Sequence, residues 1–343
     1  MKDTLLLIEQ LCALSGTSGD ESRVADFIEA QVKDYADKIW RDKLGNLLVF
    51  KKGENPTKNK VMLAAHMDEV GFIITNITDE GLLRFAAVGG IDRRVVLGRQ
   101  VFVGDNGIAG VIGTKAVHQQ KPEEKDNAPE IDSLYIDIGA SSKEQAQGLV
   151  QLGDRAVFTS DYISFGDGLI KAKALDDRAG CAILIEILRK ELKYDAYFAF
   201  TVQEEIGTRG AKVATFDIKP DFAIVVETTT AADIADVTAD KQVCKLGCGP
   251  VISFMDRSTV YDRELYRLAF EVASENALQC QTKTAIAGGN DSGAIHTSVG
   301  GVRTLAISMP CRYLHSACSV LKEEDIAQTK VLVSHMLKKM AVL

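Results

Sequence analysis

A short apolar run ending in a histidine and an acid constrains this chain most: Val61-Met62-Leu63-Ala64-Ala65-His66-Met67-Asp68-Glu69. The five apolar residues after Asn59-Lys60 predict a buried strand. Its C-terminal end delivers an imidazole with a carboxylate two residues on. Metal-binding histidines are commonly held this way, the acid fixing the ring. A core histidine beside a solvated acid would give the same run, so the motif gains meaning only from its companions.

The 343 residues leave room for a large core and an insertion. A composition of 46% hydrophobic and 26% charged residues is that of a soluble globular protein. The net charge of −8 offers no basic stripe, so nucleic acid is not expected as a partner. Met1 to Glu9 lacks a long apolar signal region, and no run reaches the ~18–20 residues of a membrane span. Seven cysteines at irregular spacing give no disulfide framework. Cys244 and Cys248 have no second pair to complete a zinc ribbon. Reduced thiols and a cytoplasmic location are the expectation.

Along the chain, residues 3–15 predict a short helix. Ser18-Gly19-Asp20-Glu21 has the capping-box pattern, and Val24, Phe27, Ile28, Val32 and Tyr35 extend an amphipathic helix over 19–37. Strands are predicted at 46–51 and 61–65. From about 70 to 164 the texture becomes short β runs punctuated by glycine turns, with one helical stretch near 142–149 and a polar loop at 118–130. The β/α alternation then returns. A helix over 177–190 is apolar on nearly every side and must lie against a sheet. Strands at 195–202, 221–226 and 302–309 follow, with helices near 208–215, 260–276 and 323–340. The fold class is α/β: a mixed-sheet α/β/α domain, 1–68 with 165–343, interrupted by a small β-rich domain at 69–164.

Four further segments carry hard ligands to element ends. Asp176-Asp177 open the apolar helix, and helix-dipole capping explains one acid but not two. Glu204-Glu205 follow the 195–202 strand, and adjacent side chains there point opposite ways. Glu227 ends another apolar strand. His315 follows the 302–309 strand. Such ends converge on one crevice in α/β sheets, and two histidines with several carboxylates suit zinc, cobalt or manganese. No HExxH helix, P-loop, strand-borne GxGxxG or GxSxG elbow is present.

Taken in order, Ala65 to Phe72, Gly89-Gly90-Ile91-Asp92, Lys173 to Gly180, Gln203 to Gly207, Gly288-Gly289-Asn290-Asp291-Ser292-Gly293 and Arg312 to Ser316 resemble the M42 aminopeptidases nearly end to end. The resemblance implies a metallopeptidase fold carrying two divalent ions per subunit, zinc or cobalt with manganese as the alternative. It implies His66 and Glu227 on one ion, Glu205 and His315 on the other, and Asp176 bridging. Asp68 would orient His66, and Glu204 would be the general base. A cis peptide would join Asp176 to Asp177. The inserted β domain would serve dimerisation, with dimers assembling to a dodecamer and short peptides as substrates. Many relatives have Asp where this chain has Glu227, which leaves Asp233 and Asp236 as nearby substitutes. The 110 positions from His66 to Asp176 against 88 from Glu227 to His315 place the insertion after the first histidine, as in this family.

Two other classes stand beside the aminopeptidase. A glycoside hydrolase could use paired carboxylates but would leave both histidines without a task. A non-catalytic assembly protein on the same scaffold should have lost a ligand or Glu204. The 288–293 turn is expected to shape a pocket wall. His118 would lie in a loop, His296 and His335 in structural helical settings, and Arg93 and Arg94 at an interface or in solvent.

Overall fold

The computed structural model describes residues 1–122 and 127–343. Its strands are β1 Lys38–Arg41, β2 Leu47–Lys51, β3 Val61–His66, β4 Gly71–Ile77, β5 Leu83–Val88, β6 Gln100–Val103, β7 Ile108–Gly113, β8 Tyr135–Asp137 and β9 Arg155–Phe158. After them come β10 Ile163–Phe165, β11 Leu169–Ala172, β12 Ala196–Thr201, β13 Phe222–Thr230, β14 Val251–Ile252, β15 Gln281–Thr282, β16 Arg303–Cys311 and β17 Ser319–Lys322. The helices used below are α1 Lys2–Ala13, α2 Ser22–Val32, α3 Lys143–Gln147, α4 Leu175–Leu188, α5 Arg209–Ile218, α6 Arg263–Glu275, α7 Ser292–Ile295 and α8 Glu323–Met340.

Eight strands form one mixed sheet in the order β1-β2-β12-β3-β13-β16-β14-β15. Its centre is parallel: β3 pairs with both β12 and β13, and β13 with β16. Alternate residues go to opposite faces, as the period of two requires. Leu63, Ala65, Phe198, Phe200, Ile224, Val226, Leu305 and Ile307 pack with α1, α2, α4, α6 and α8. Met62, Ala64, Ala199, Ala223, Val225 and Ala306 pack with α5 and Ile295 of α7. The layers are therefore α/β/α.

After β3 the chain leaves this sheet and closes a six-stranded barrel in the order β4-β5-β8-β7-β6-β9. Phe72 meets Phe85 and Phe158 edge to face at 4.9 and 5.2 Å in its core. Ala317, just past the last predicted ligand, packs into that same core. The texture change read at about residue 70 is thus a change of architecture. Among the described residues, no helix is long and apolar enough to cross a membrane.

Several boundaries shift. The helix read over 19–37 is shorter: α2 stops at Val32, a 3-10 turn occupies Lys33–Tyr35, and β1 starts at Lys38. The expected capping box does not form, because no side chain caps α2. The small sheet β10-β11-β17 and the two-residue strands β14 and β15 were not legible, being too short for a period. In the loop read at 118–130, residues 123–126 lie outside the described residues, while His118 sits in an exposed 3-10 turn, Val117–Gln119.

α4 is buried on all sides, with Ile183, Leu184 and Ile185 at 0% exposure. Gly180 lets it approach β13 closely, since a Cβ there would run into the Asp177 carboxylate and the Val226 carbonyl. Ile183→Ala should cost about 2–5 kcal/mol, read as a lower urea midpoint at unchanged slope. An unchanged midpoint would mean that α4 is not the keystone of this layer.

Candidate metal centre

Parallel register decides which side chains can meet. Thr201 pairs with His66 across β12 and β3, and Glu227 pairs with Ser308 across β13 and β16. By the period of two, His66, Thr201, Glu227 and Ser308 continue the face covered by α5 and α7. Asp176 enters from the start of α4, where residues 176 and 177 have non-helical backbone angles. The Asp176–Asp177 peptide is cis. Glu204 and Glu205 follow β12, and His315 follows β16.

His66 Nε2 lies 3.4 Å from Asp176 Oδ1, and His315 Nε2 lies 3.5 Å from Asp176 Oδ2. His315 Nε2 is also 3.2 Å from Glu205 Oε2. One donor atom each from His66, Asp176 and Glu205 falls within 4.8 Å of the others. The far ring nitrogens are engaged: His66 Nδ1 sits 3.1 Å from the Asp68 carbonyl, and His315 Nδ1 2.7 Å from the Gly90 carbonyl. Each Nδ1–H therefore donates to a carbonyl, and a neutral ring would then present its Nε2 lone pair to carboxylate oxygens. Two acceptors facing each other require a proton or a cation between them.

The electrostatics say the same. Burial pushes Glu204 well above the usual carboxylate range, helped by Asp291 and Glu205 nearby. Glu205 is raised to about 7 by burial, with His315 opposing. Glu227 is raised to about 8 by burial, with Lys283 opposing. Burial works against charge on His66 and His315 too, yet their carboxylate neighbours raise both, His315 to about 9. Burial would lift Asp176, but hydrogen bonds from His315 and His66 hold it well below normal. Among the described residues, buried Glu205 Oε1 and Asp291 Oδ1 have no hydrogen-bond partner. A buried surplus of hard anionic donors with orphaned oxygens fits divalent cations.

The fully buried Asp68 carboxylate ties together segments far apart in the chain. Its Oδ1 accepts the Glu204 N–H at 3.0 Å, and its Oδ2 accepts the Glu205 N–H at 3.1 Å and the Ser18 hydroxyl at 2.6 Å. Glu21 Oε1 accepts the N–H groups of Gly19 at 2.7 Å and Gln203 at 3.0 Å. Ser18 and Glu21, which the capping pattern assigned to α2, are instead committed to the site. Gln203 has φ +57°, and Ala174, Thr208, Tyr313 and His315 are also left-handed non-glycine residues. Such residues cost on the order of 1–3 kcal/mol each and need tethers of this kind.

Glu69 extends the scaffold. Lys173 Nζ donates to both its oxygens, at 2.7 and 2.9 Å, while the fully buried Arg178 donates to the Met67 carbonyl at 2.8 Å. This network joins the end of β3 to the start of α4. The 288–293 turn supplies more than a wall: Asn290 donates to Glu227 Oε1 at 2.6 Å, and Asp291 accepts from Thr201 at 2.6 Å. Sequence reading missed both contacts, although the Asn-Asp pair after two glycines was the available signal.

Other expected positions fall away from the cluster. Asp233 is taken by Arg312 at 2.7 and 2.8 Å, which removes it as a substitute for Glu227, and Asp236 is exposed. His296 Nδ1 lies 2.8 Å from the Ser292 carbonyl, and His335 sits within α8. Arg94 pairs with exposed Asp92.

Glu21 gives a pH test. Burial raises it from 4.5 to about 7, so its folded pKa exceeds its unfolded one. The folded state then holds the extra proton, and stability is lost as pH rises through that interval. Metal-stripped Glu21→Gln should gain on wild type between about pH 5 and pH 8, by about 3 kcal/mol at most, in parallel urea melts. A pH-independent difference would show that this carboxyl is not held protonated.

The family description M42 glutamyl aminopeptidase matches residues 45–332. The lysyl aminopeptidase of Pyrococcus furiosus is 33% identical over 343 residues, covering 97% of this chain and 96% of its own. The TET aminopeptidase of Thaumarchaeota archaeon SCGC AB-539-E09 superposes with a TM-score of 0.95 at 32% identity, over 99% of this chain and 97% of that one. The Pyrococcus horikoshii TET1 peptidase, which can assemble into a tetrahedron or a large octahedral shell, superposes with a TM-score of 0.86 at 36% identity, over 99% of each. With strand ends, buried acids and paired histidines in this order along almost the whole chain, the protein belongs to the M42 family of aminopeptidases and is a peptide-bond hydrolase.

Proposed function

We propose that the protein removes N-terminal residues from short peptides at a site holding two divalent cations, zinc or cobalt with manganese as the alternative. His66 and Glu227 would hold one ion and Glu205 and His315 the other, with Asp176 shared. The observation that carries this reading is the pair of imidazole Nε2 atoms turned onto the two different oxygens of Asp176, at 3.4 and 3.5 Å. A carboxylate addressed from both sides supports the reading of Asp176 as a bridge. When bound, the cations would acidify a water and polarise the scissile carbonyl.

The chain's own residues supply the rest. Glu204 is fixed through its backbone N–H by Asp68, and its carboxyl can take the proton of the attacking water and pass it to the leaving amine. The carboxylate surplus favours a cationic α-ammonium in the cleft, which would restrict cleavage to the first residue. The barrel, residues 71–158, is assigned to dimerisation within the insertion 69–164. Dimers would assemble further to a dodecamer, a reading supported by the TET1 peptidase, which can assemble into a tetrahedron. The glycoside-hydrolase alternative is set aside, because the family is one of peptidases and both histidines face the acids.

Aminoacyl-p-nitroanilides tested on chelator-stripped protein, with zinc, cobalt or manganese added back, should be cleaved only with metal and only when the amine is free. Turnover of N-acetylated substrates, or turnover indifferent to chelator, would overturn the proposal. Glu204→Gln should lose about 10²–10⁴-fold in kcat while retaining its metal content, measured by mass spectrometry of the dialysed protein. A variant of near wild-type rate would remove Glu204 from the base role.

A further inference from the structure

We infer that Asn290 is a positioning residue for Glu227: it selects which oxygen of that carboxylate faces the cation, and Tyr261 and Asp256 set its own orientation. This rests on the dinuclear reading above.

The direction of the hydrogen-bond chain is forced from its far end. Asp256 Oδ1 accepts from the Ser258 N–H at 2.8 Å, the Ser258 hydroxyl at 3.0 Å and the Thr259 N–H at 2.8 Å. Asp256 Oδ2 accepts the Tyr261 hydroxyl at 2.6 Å. That hydroxyl has one proton, so towards Asn290, 2.9 Å away, Tyr261 can only accept. The atom of Asn290 facing Tyr261 must therefore be Nδ2, while Oδ1 accepts the Ser292 N–H at 2.8 Å. The second proton of Nδ2 is left for Glu227 Oε1, 2.6 Å away. The amide orientation, which packing alone would leave ambiguous, follows from donor counting.

Ser308, the register partner of Glu227 on β16, donates to the same Oε1 at 3.3 Å. Two donors on one oxygen fill its lone pairs and leave Oε2 as the atom free to meet a cation. Asn290 and Ser308 are 2% and 0% exposed, so both donors are buried with the carboxylate they hold. The clamp also answers the longer arm at position 227. Glutamate has one more rotatable bond than aspartate, and fixing one oxygen removes that freedom before a cation arrives.

Cobalt(II) titration of the chelator-stripped full-length protein, by calorimetry and visible absorption, tests this. Wild type should take two equivalents. Asn290→Ala should bind one of them about 10–100-fold more weakly with an altered spectrum, the other unchanged. The loss of affinity should be confined to that one equivalent, which a general loss of structure would not predict, and metal-free melting curves of the variant check that it is folded. Ser308→Ala should weaken the same equivalent by a smaller factor, and serves alone should Asn290→Ala fail to fold. Wild-type affinity and spectrum for both equivalents in either folded variant would overturn the clamp. Wild type binding fewer than two equivalents would overturn the dinuclear reading instead.

Discussion

Everything in the site hangs on one buried carboxylate. Asp68 has no exposure to water and uses its two oxygens to hold the backbone amides of Glu204 and Glu205, together with the Ser18 hydroxyl. It stands two residues after His66, so β3, the loop after β12 and the segment before α2 become one rigid unit. Burial alone would raise its pKa, but these donors and His66 hold it low and charged. A charged acceptor with several donors is worth more than its neutral counterpart, and costs more if any donor is lost.

Four other acids of the site have no such relief. Glu204, Glu205, Glu227 and Asp291 are all raised, with burial the leading cause in each. Natural folds avoid gathering buried carboxylates unless something positive joins them. The left-handed residues flanking the cluster point the same way, since strain of this sort persists only where packing over-determines it. The fold carries both burdens on the parallel centre of the sheet and on α4, whose apolar residues are all buried.

Much of this was legible beforehand because the signals are local. Apolar runs with abrupt acidic ends marked β3, β12, β13 and α4, and the glycine-punctuated β texture after residue 70 marked the barrel. The capping pattern at Ser18–Glu21 misled for a physical reason. A serine and a glutamate three apart satisfy any nearby N–H, and here those of Gly19 and Gln203, with the Asp68 carboxylate as acceptor, lie closer than those of α2. The short strands β10, β11, β14, β15 and β17 escaped notice because two to four residues carry no measurable period.

The sequence by itself determined the chemistry: which hard donors the chain owns, that each sits at an element end, and that the ends of parallel strands must share one edge. Tertiary structure decided the partners. Arg312 holds Asp233, while Glu227 is buried against Asn290 and Ser308. Asn290 turns its amide nitrogen to Glu227 because Asp256 takes the proton of Tyr261. These choices depend on distances between groups far apart in the chain, and local periodicity contains no information about such distances.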